Sequence, residues 1–497
     1  MSREAGSRSS SGVRRHPVLP AVLALALLAG CGSRLSQDEL IARNAGTATV
    51  VVPDAPAADP GDVVAAPVPS PGAVPAVDPG GAAPANSAAP TGGPSEGAAP
   101  ITTAGTGGAK KSDRTASAAP KTDNQPITIC SVSEMGGPAG AAIAQGVNGL
   151  QAWVGDVNSR GGVHGHRIRL IVRDSNSDPN VALAHVRACV ENDGAVALVG
   201  GMATLTAAGY RSYLESKRVP SIGGDCGTYV YNSSPVFFNQ CAAPETSVWA
   251  IAQEAAKAGT ANKKFAFLYC QEASACANGR KWMVDDRFVE RNGLELAYAK
   301  QFSLTQLDFT SECTAMKAAG VTVVSAIVDP SGLQRMGQSC TRQGFNPVWV
   351  QLYASVYSDT ATKPGLGNIR LQMPTMPFCC LTGKDAQNTA FQRYLTAFER
   401  FGGLRAPGPA VPLGWTSGVL FERFLDEVAK VSPSVTSAVL LRAADGIRNE
   451  TLGGLVPAIN LTAGEKTPDS GCWFVMEARN GGPFGAPDGL GLTCRPR

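Results

Sequence analysis

The chain has 497 residues, 44% of them apolar, which is material for roughly two or three ordinary domains. Its formal net charge is only +3, and no Lys/Arg stripe with interleaved aromatics is present, so the electrostatic footprint of a nucleic-acid partner is missing.

At the start of the chain, Arg14 and Arg15 precede an apolar run over 18–28 that is broken only by Pro20. A membrane-spanning helix needs about 20 apolar residues, so the shorter run reads as an export leader. It ends in Leu28-Ala29-Gly30-Cys31, small residues leading into a cysteine, the pattern of a lipoprotein signal peptide. That pattern predicts a signal peptide over 1–30, cleavage before Cys31 and a lipid on its thiol, anchoring the mature protein to the extracytoplasmic face of the cell membrane. An ordinary secretory leader followed by a chance cysteine is the alternative. The cysteines agree with export. Setting Cys31 aside leaves twelve, all from Cys130 to Cys494, and an oxidising compartment would join them in up to six disulfides. Free buried cysteines or a metal site are the alternatives, but His164 and His166 have no Cys-x-x-Cys partner nearby, so neither metal nor cofactor is expected.

Residues 1–152 contain no Phe, Tyr or Trp. A stretch without large anchors builds little core, and 12 prolines over 51–100 among Ala, Gly, Val and Asp mark a linker. Residues 31–126 are therefore predicted to be a disordered tether, extending at roughly 3 Å per residue where prolines stiffen it.

From Ile127 onward short apolar runs alternate with helix-like segments. Strands are predicted over 127–132, 166–174 and 196–200, with helices over 140–158 and 179–192 between them. After about Cys241 the rhythm restarts. Helices are predicted over 245–258, 280–292, 311–319 and 331–343, and strands over 264–269, 296–302, 321–328 and 347–352. Strands alternating with helices of this length give right-handed βαβ units and parallel sheets, so two α/β lobes are expected, with a cleft at the carboxyl ends of their strands.

The segment Val157-Asn158-Ser159-Arg160-Gly161-Gly162-Val163-His164-Gly165-His166-Arg167-Ile168, followed by Asp174 and Asp178-Pro179, resembles the N-terminal signature of type I extracytoplasmic solute-binding proteins. The branch it most resembles is the Leu/Ile/Val-binding family of ABC importers. The residues themselves have a structural reading: Gly161, Gly162 and Gly165 permit tight turns, and Asp178-Pro179 caps and opens a helix. His164 and His166 lie on a helix-to-strand connection, at the end opposite the cleft, and are expected to be solvent-exposed turn residues. Ser133-Glu134-Met135-Gly136-Gly137-Pro138 stands where the family has a Leu-Ser/Thr-Gly-Pro turn, with Glu134 and Met135 as departures. The resemblance implies the type I periplasmic-binding-protein fold, α/β, with two Rossmann-like lobes joined by three crossings. These are placed near Ala243, over 372–377 and after Leu455. Lobe 1 is then 127–243 plus 376–455, and lobe 2 is 244–375 plus 456–497. Helices over 390–401 and 415–431 fall to lobe 1, and the tail near Cys472 returns to lobe 2.

The resemblance also implies where a small-molecule ligand sits. Thr204, in the loop after the strand over 196–200, stands where amino-acid binders grip a carboxylate with a hydroxyl and backbone amides; it either touches ligand or caps the following helix. Asp225 and Thr228 lie in the next such loop, where Asp225 either holds a cationic group or is a solvated carboxylate. In the second lobe Asn278 stands in place of a ring that covers ligand, Asp329 and Ser331 follow a strand end, and Tyr353 lies near where the family pairs a ligand's ammonium with an acid. Without that acid, an amine would need Asp225, Asp329 or Glu134, so branched-chain amino acid specificity is not carried over. Tyr353 and Trp415 suit an apolar or aromatic surface, with Trp415 also readable as core. Preferred disulfides within a lobe are Cys226 with Cys241, Cys270 with Cys276, Cys313 with Cys340, and Cys472 with Cys494. Cys130 with Cys189 is a further option, and Cys379-Cys380 either pair with each other or elsewhere. The expected partners are a small molecule (amino acid, amide or small organic acid), an ABC permease, and the membrane through Cys31. Ligand sensing or an envelope interaction on the same fold is the alternative role. No Gly-x-Ser-x-Gly elbow, metal-spaced histidine pair or phosphate loop is present, and the four histidines include His16 of the leader, so catalysis is not expected.

Overall fold

The computed structural model describes residues 125–496, apart from 138–139, 141–142 and 259–261, together with Val50 and Val51. The predicted leader over 1–30, the lipidation site Cys31 and almost all of the linker over 31–126 lie outside the described residues.

The first lobe is built on a parallel sheet. Its strands are β2 (Ile127–Ser133), β3 (Ile168–Asp174), β4 (Ala197–Gly201), β5 (Ser221–Gly224) and β6 (Phe237–Phe238), with β1 (Val50–Val51) pairing antiparallel along the outer edge of β3. Among the described residues the order is β1-β3-β2-β4-β5-β6. β2 is apolar on both faces and almost wholly buried, as a central parallel strand covered by helices must be. The crossovers are α1 (Gln145–Ser159), α2 (Pro179–Glu191) and α3 (Ala207–Lys217). Asp178 caps α2 by accepting from the N–H groups of Asn180 and Val181, with Pro179 opening the first turn.

Three later helices complete this lobe: α9 (Thr389–Phe401), α10 (Val411–Ala429) and α11 (Ser437–Ala443). Here α10 lies against α1 with backbones in contact: a Cβ on Gly414 would come 1.7 Å from the carbonyl oxygen of Gly146, and one on Gly149 2.0 Å from that of Val411. Only glycine permits that approach, so both residues are required by packing. Trp415 is buried in the core beside Tyr394.

The second lobe restarts with α4 (Pro244–Lys257) and carries β7 (Lys264–Cys270), α5 (Ser274–Arg280), α6 (Phe288–Arg291), β8 (Glu295–Phe302), α7 (Thr310–Ala318), β9 (Val323–Ile327), α8 (Pro330–Arg342), β10 (Val348–Leu352) and β11 (Ile369–Met373). β12 (Cys472–Ala478) returns antiparallel to β11, and β13 (Thr493–Cys494) closes the edge, giving the order β13-β12-β11-β10-β9-β7-β8. Alternate residues feed opposite faces: Phe265 and Phe267 enter one apolar cluster, and Ala266 and Leu268 the other.

The structure corrects several expectations. The helix expected over 280–292 begins at Ser274, runs into a wider turn at Lys281–Asp285 and breaks at Arg287, whose φ is 58°. Its early start follows the Cys270–Cys276 disulfide, which draws the segment onto the end of β7, while the break turns Phe288 and Val289 inward. His166 is buried, with its Nδ1 3.0 Å from the carbonyl oxygen of Gln125, whereas His164 is exposed and paired with Asp426 at 2.8 Å. Only His164 is the solvent-exposed turn residue expected. Val456, Ile459 and Leu461 pack in the first lobe's core, so the third crossing, expected somewhere after Leu455, follows Leu461. That crossing is tied to the first: the Thr467 hydroxyl accepts from the Asn239 N–H, and Asp469 accepts from the Ala243 N–H and the Thr246 hydroxyl.

The disulfides are Cys130–Cys189, Cys226–Cys241, Cys270–Cys276, Cys313–Cys340, Cys379–Cys380 and Cys472–Cys494. Every pair lies on one side of the crossings.

Candidate functional site

The carboxyl ends of β4 and β5 place the loops 202–206 and 225–228 against the second lobe. At the end of β5, Gly223 and Gly224 have φ of 63° and 146°. A Cβ on Gly224 would lie 2.3 Å from the Tyr231 hydroxyl oxygen, so the chain can turn Asp225 inward only because no side chain is there. Gln240 holds the same turn, accepting from the Gly224 N–H and donating to the Gly224 carbonyl. From the second lobe, the first turn of α4, the segment from Cys270 to Asn278, and the ends of β9 and β10 face these loops.

Between the two sets lies a cavity of about 500 Å³. Its wall is mainly apolar, with Ile143, Val248, Trp282, Leu304, Ile327 and Leu352 contributing. The predicted residues Thr204, Asp225, Thr228, Asn278, Asp329 and Tyr353 all line it; Ser331 does not, being exposed at the start of α8.

Asp225 is fully buried, which overturns the solvated-loop alternative. Its Oδ1 accepts from the Tyr353 hydroxyl at 2.6 Å, and its Oδ2 accepts from the Thr204 hydroxyl at 2.8 Å and the Gly227 N–H at 3.0 Å. Burial raises the Asp225 carboxyl above its ordinary range even though these donors oppose the rise. The Tyr353 bond joins the second lobe to the first, and Thr204 serves Asp225 rather than capping α3. Thr228 accepts from the Val230 N–H, and Asp329 caps α8 by accepting from the N–H groups of Ser331 and Gly332.

Glu134, at the end of β2, reaches the N-terminus of α3. Its Oε1 accepts from the N–H groups of Leu205 and Thr206 at 2.7 and 2.9 Å and from the Thr206 hydroxyl at 3.0 Å. Its Oε2 is buried without a hydrogen-bond partner. Burial pushes this carboxyl up to about 7; the Leu205 N–H opposes the rise and nearby Asp225 adds to it. Sequence reasoning marked Glu134 as a departure but did not find this role, nor the places of Arg211, Glu272 and Trp282 in the wall. Glu134 carried a signal, an acid in a Gly/Pro turn; the other three carried none.

A smaller cavity of about 260 Å³ lies at the opposite end of the first sheet, around His164, His166 and Leu425. Its histidines are engaged with Asp426 and the Gln125 carbonyl, and it is walled by the first lobe alone, so it does not share the features of the cleft. Among the described residues no group of His, Cys, Asp and Glu is arranged to hold a metal ion, and no helix is long and apolar enough to cross a membrane.

The family model described as periplasmic binding protein matches residues 126–483. The chain belongs to this family. The family binds solutes and is not catalytic, and the fold of this binding protein is the type I arrangement of two α/β lobes. Among solved structures it is similar to a leucine binding protein from Thermotoga maritima MSB8, at 14% identity, a TM-score of 0.57, and coverage of 73% of this chain and 99% of that one. A fatty acid ABC transporter substrate-binding protein from Thermomonospora curvata matches at 16% identity and TM-score 0.59, covering 74% and 91%. A solute binding protein of an ABC transporter from Rhodopseudomonas palustris BisB5, in complex with 3,4-dihydroxy benzoic acid, matches at 16% identity and TM-score 0.58, covering 73% and 96%. At these identities the likeness is one of fold. No curated protein matches the chain.

Proposed function

We propose that this binding protein captures a small molecule between its lobes on the extracytoplasmic side of the membrane and presents it to an ABC permease, held nearby by a lipid on Cys31. The observation that carries the reading is the cavity of about 500 Å³ walled by both lobes, across which the Tyr353 hydroxyl reaches Asp225 at 2.6 Å. A ligand in that position touches both lobes and favours the closed form, and a permease can distinguish the closed form from the open one. The disulfides support the same motion, since none crosses between lobes and the crossings stay free to bend.

The test is a thermal-shift screen of purified protein against amino acids, amides, short organic acids and aromatic compounds, with X-ray scattering to follow closure. A hit that raises Tm and compacts the protein is expected; a protein that no small molecule stabilises would end this reading. Crosslinking in cells separates the roles: a permease is the expected partner, and a sensor kinase in its place would assign the fold to signalling. Labelled palmitate should enter the wild-type chain and not Cys31→Ser.

A further inference from the structure

Two buried carboxylates of the first lobe constrain what can enter: Asp225 on the cavity wall, and Glu134 behind the wall residue Leu205. Glu134 occupies the N-terminus of α3, where free N–H groups and the helix dipole make a ready site for an anion. Its own N–H donates to the Met202 carbonyl at 2.7 Å, which pins its backbone beside the loop it serves. The second carboxylate, Asp225, has three donors of its own and no exposed surface. Each charged group of the cavity wall is engaged in the same way. The Arg211 guanidinium donates to the Glu215 carboxylate and the Ser233 carbonyl, both at 2.8 Å. Glu272 accepts from the Ser303 hydroxyl and the Leu304 N–H, and Asp329 from the first turn of α8.

Resting on the solute-binding reading, we infer that the cleft takes a neutral, largely apolar molecule whose buried part bears no carboxylate, because Glu134 already fills the anion site at the start of α3. A ligand carboxylate would meet no uncommitted cation in this wall, and the starts of α3 and α8 are already taken by Glu134 and Asp329. It would lose its water beside Asp225 and Glu134, a loss that is costly without a compensating donor and is worsened by like charge. An ammonium is disfavoured too, since it would lose its water to reach Asp225, which has no exposed surface and already accepts from three donors. A neutral apolar molecule meets neither cost, and the volume suits one of drug-like size. Neutral polar atoms can be met by the Thr228 hydroxyl or the Asn278 amide on the wall.

The test measures binding of matched alcohol and carboxylate pairs on straight-chain, branched, alicyclic and aromatic skeletons to the full chain by calorimetry. Decanol against decanoate and naphthylmethanol against naphthoate belong to this set. Wild type is expected to bind the alcohol of a matching skeleton at least about tenfold more tightly than the carboxylate, and Glu134→Ala to narrow that gap by admitting the carboxylate to the vacated N–H groups. Carboxylates that bind wild type as tightly as their alcohols overturn the inference and leave solute binding standing. If no pair binds and the broader screen also finds nothing, the solute-binding reading falls and takes the inference with it. Acetate gives a second readout: it should raise the Tm of Glu134→Ala and leave wild type unmoved, and an equal effect on both would remove Glu134 from the anion site.

Discussion

Replacing Glu134 by Gln separates charge from shape at the start of α3, because the amide oxygen can still accept from Leu205 and Thr206 while the ionisable group is gone. The folded carboxyl is raised from its ordinary 4.5 to about 7 by burial, with Asp225 adding to the rise. Between those values the folded protein keeps a proton that the unfolded chain has released. The stabilisation from this group is therefore fully present below pH 4.5 and is lost as pH rises through about 7. At about 1.4 kcal/mol for each tenfold step in proton affinity, the displacement corresponds to about 3 kcal/mol. Asp225, also raised by burial, contributes with the same sign, whereas His185, lowered mainly by burial, contributes stability that grows as pH rises. The difference between wild type and Glu134→Gln reports this group together with its coupling to Asp225. Urea unfolding followed by Trp fluorescence, at a series of pH values from about 5 to about 8.5, should show wild type losing on the order of 3 kcal/mol relative to the variant. Stability curves that run parallel across that range would refute the argument.

Tyr353→Phe removes the cross-lobe donor to a buried carboxylate and should cost about 1.5–3 kcal/mol, read partly as a more open molecule in X-ray scattering and partly as weaker ligand binding. Arg370→Ala strips fully buried Glu254 of one hydrogen bond and a second ion-pair contact, both at 2.8 Å, and should destabilise the second lobe by about 3–5 kcal/mol in urea unfolding. Gly224→Ala should lower Tm well beyond Gly194→Ala, because both have positive φ but only the first Cβ collides, with the Tyr231 hydroxyl and the Gly201 carbonyl oxygen. Equal effects would mean the β5 turn yields without moving Asp225.

The arrangement divides labour between the lobes. The first supplies two buried carboxylates with raised proton affinity, held by the loops after β2, β4 and β5. The second supplies Tyr353 and most of the apolar wall. Apolar contact also joins the lobes, since Ile143, Met202 and Leu413 from the first lobe pack within a core cluster of the second. Closure is thus favoured by one charged hydrogen bond and a patch of buried surface, both within reach of a molecule in the cavity.

Much of the fold was legible in the sequence because its determinants are local. Periodicity marked β2 to β4 and most strands and helices of the second lobe within a few residues, and Asp178-Pro179 announced the start of α2. Short or late elements were not legible: β6 is two residues long, and β11 and β12 acquire their identity from pairing with each other across about a hundred residues of intervening chain. The break at Arg287 escaped for the same reason, since no local residue signals that Phe288 must turn inward. At the site, the family resemblance pointed to Thr204, Asp225, Asn278, Asp329 and Tyr353, and they meet in one cleft because strand ends in parallel sheets share one edge. What each does there depended on groups far away in sequence. Asp225 became a buried acceptor for a tyrosine 128 residues later, and Glu134 met amides 71 and 72 residues later. A carboxylate's role is set by which donors surround it and how much water it loses, and only the tertiary structure decides both.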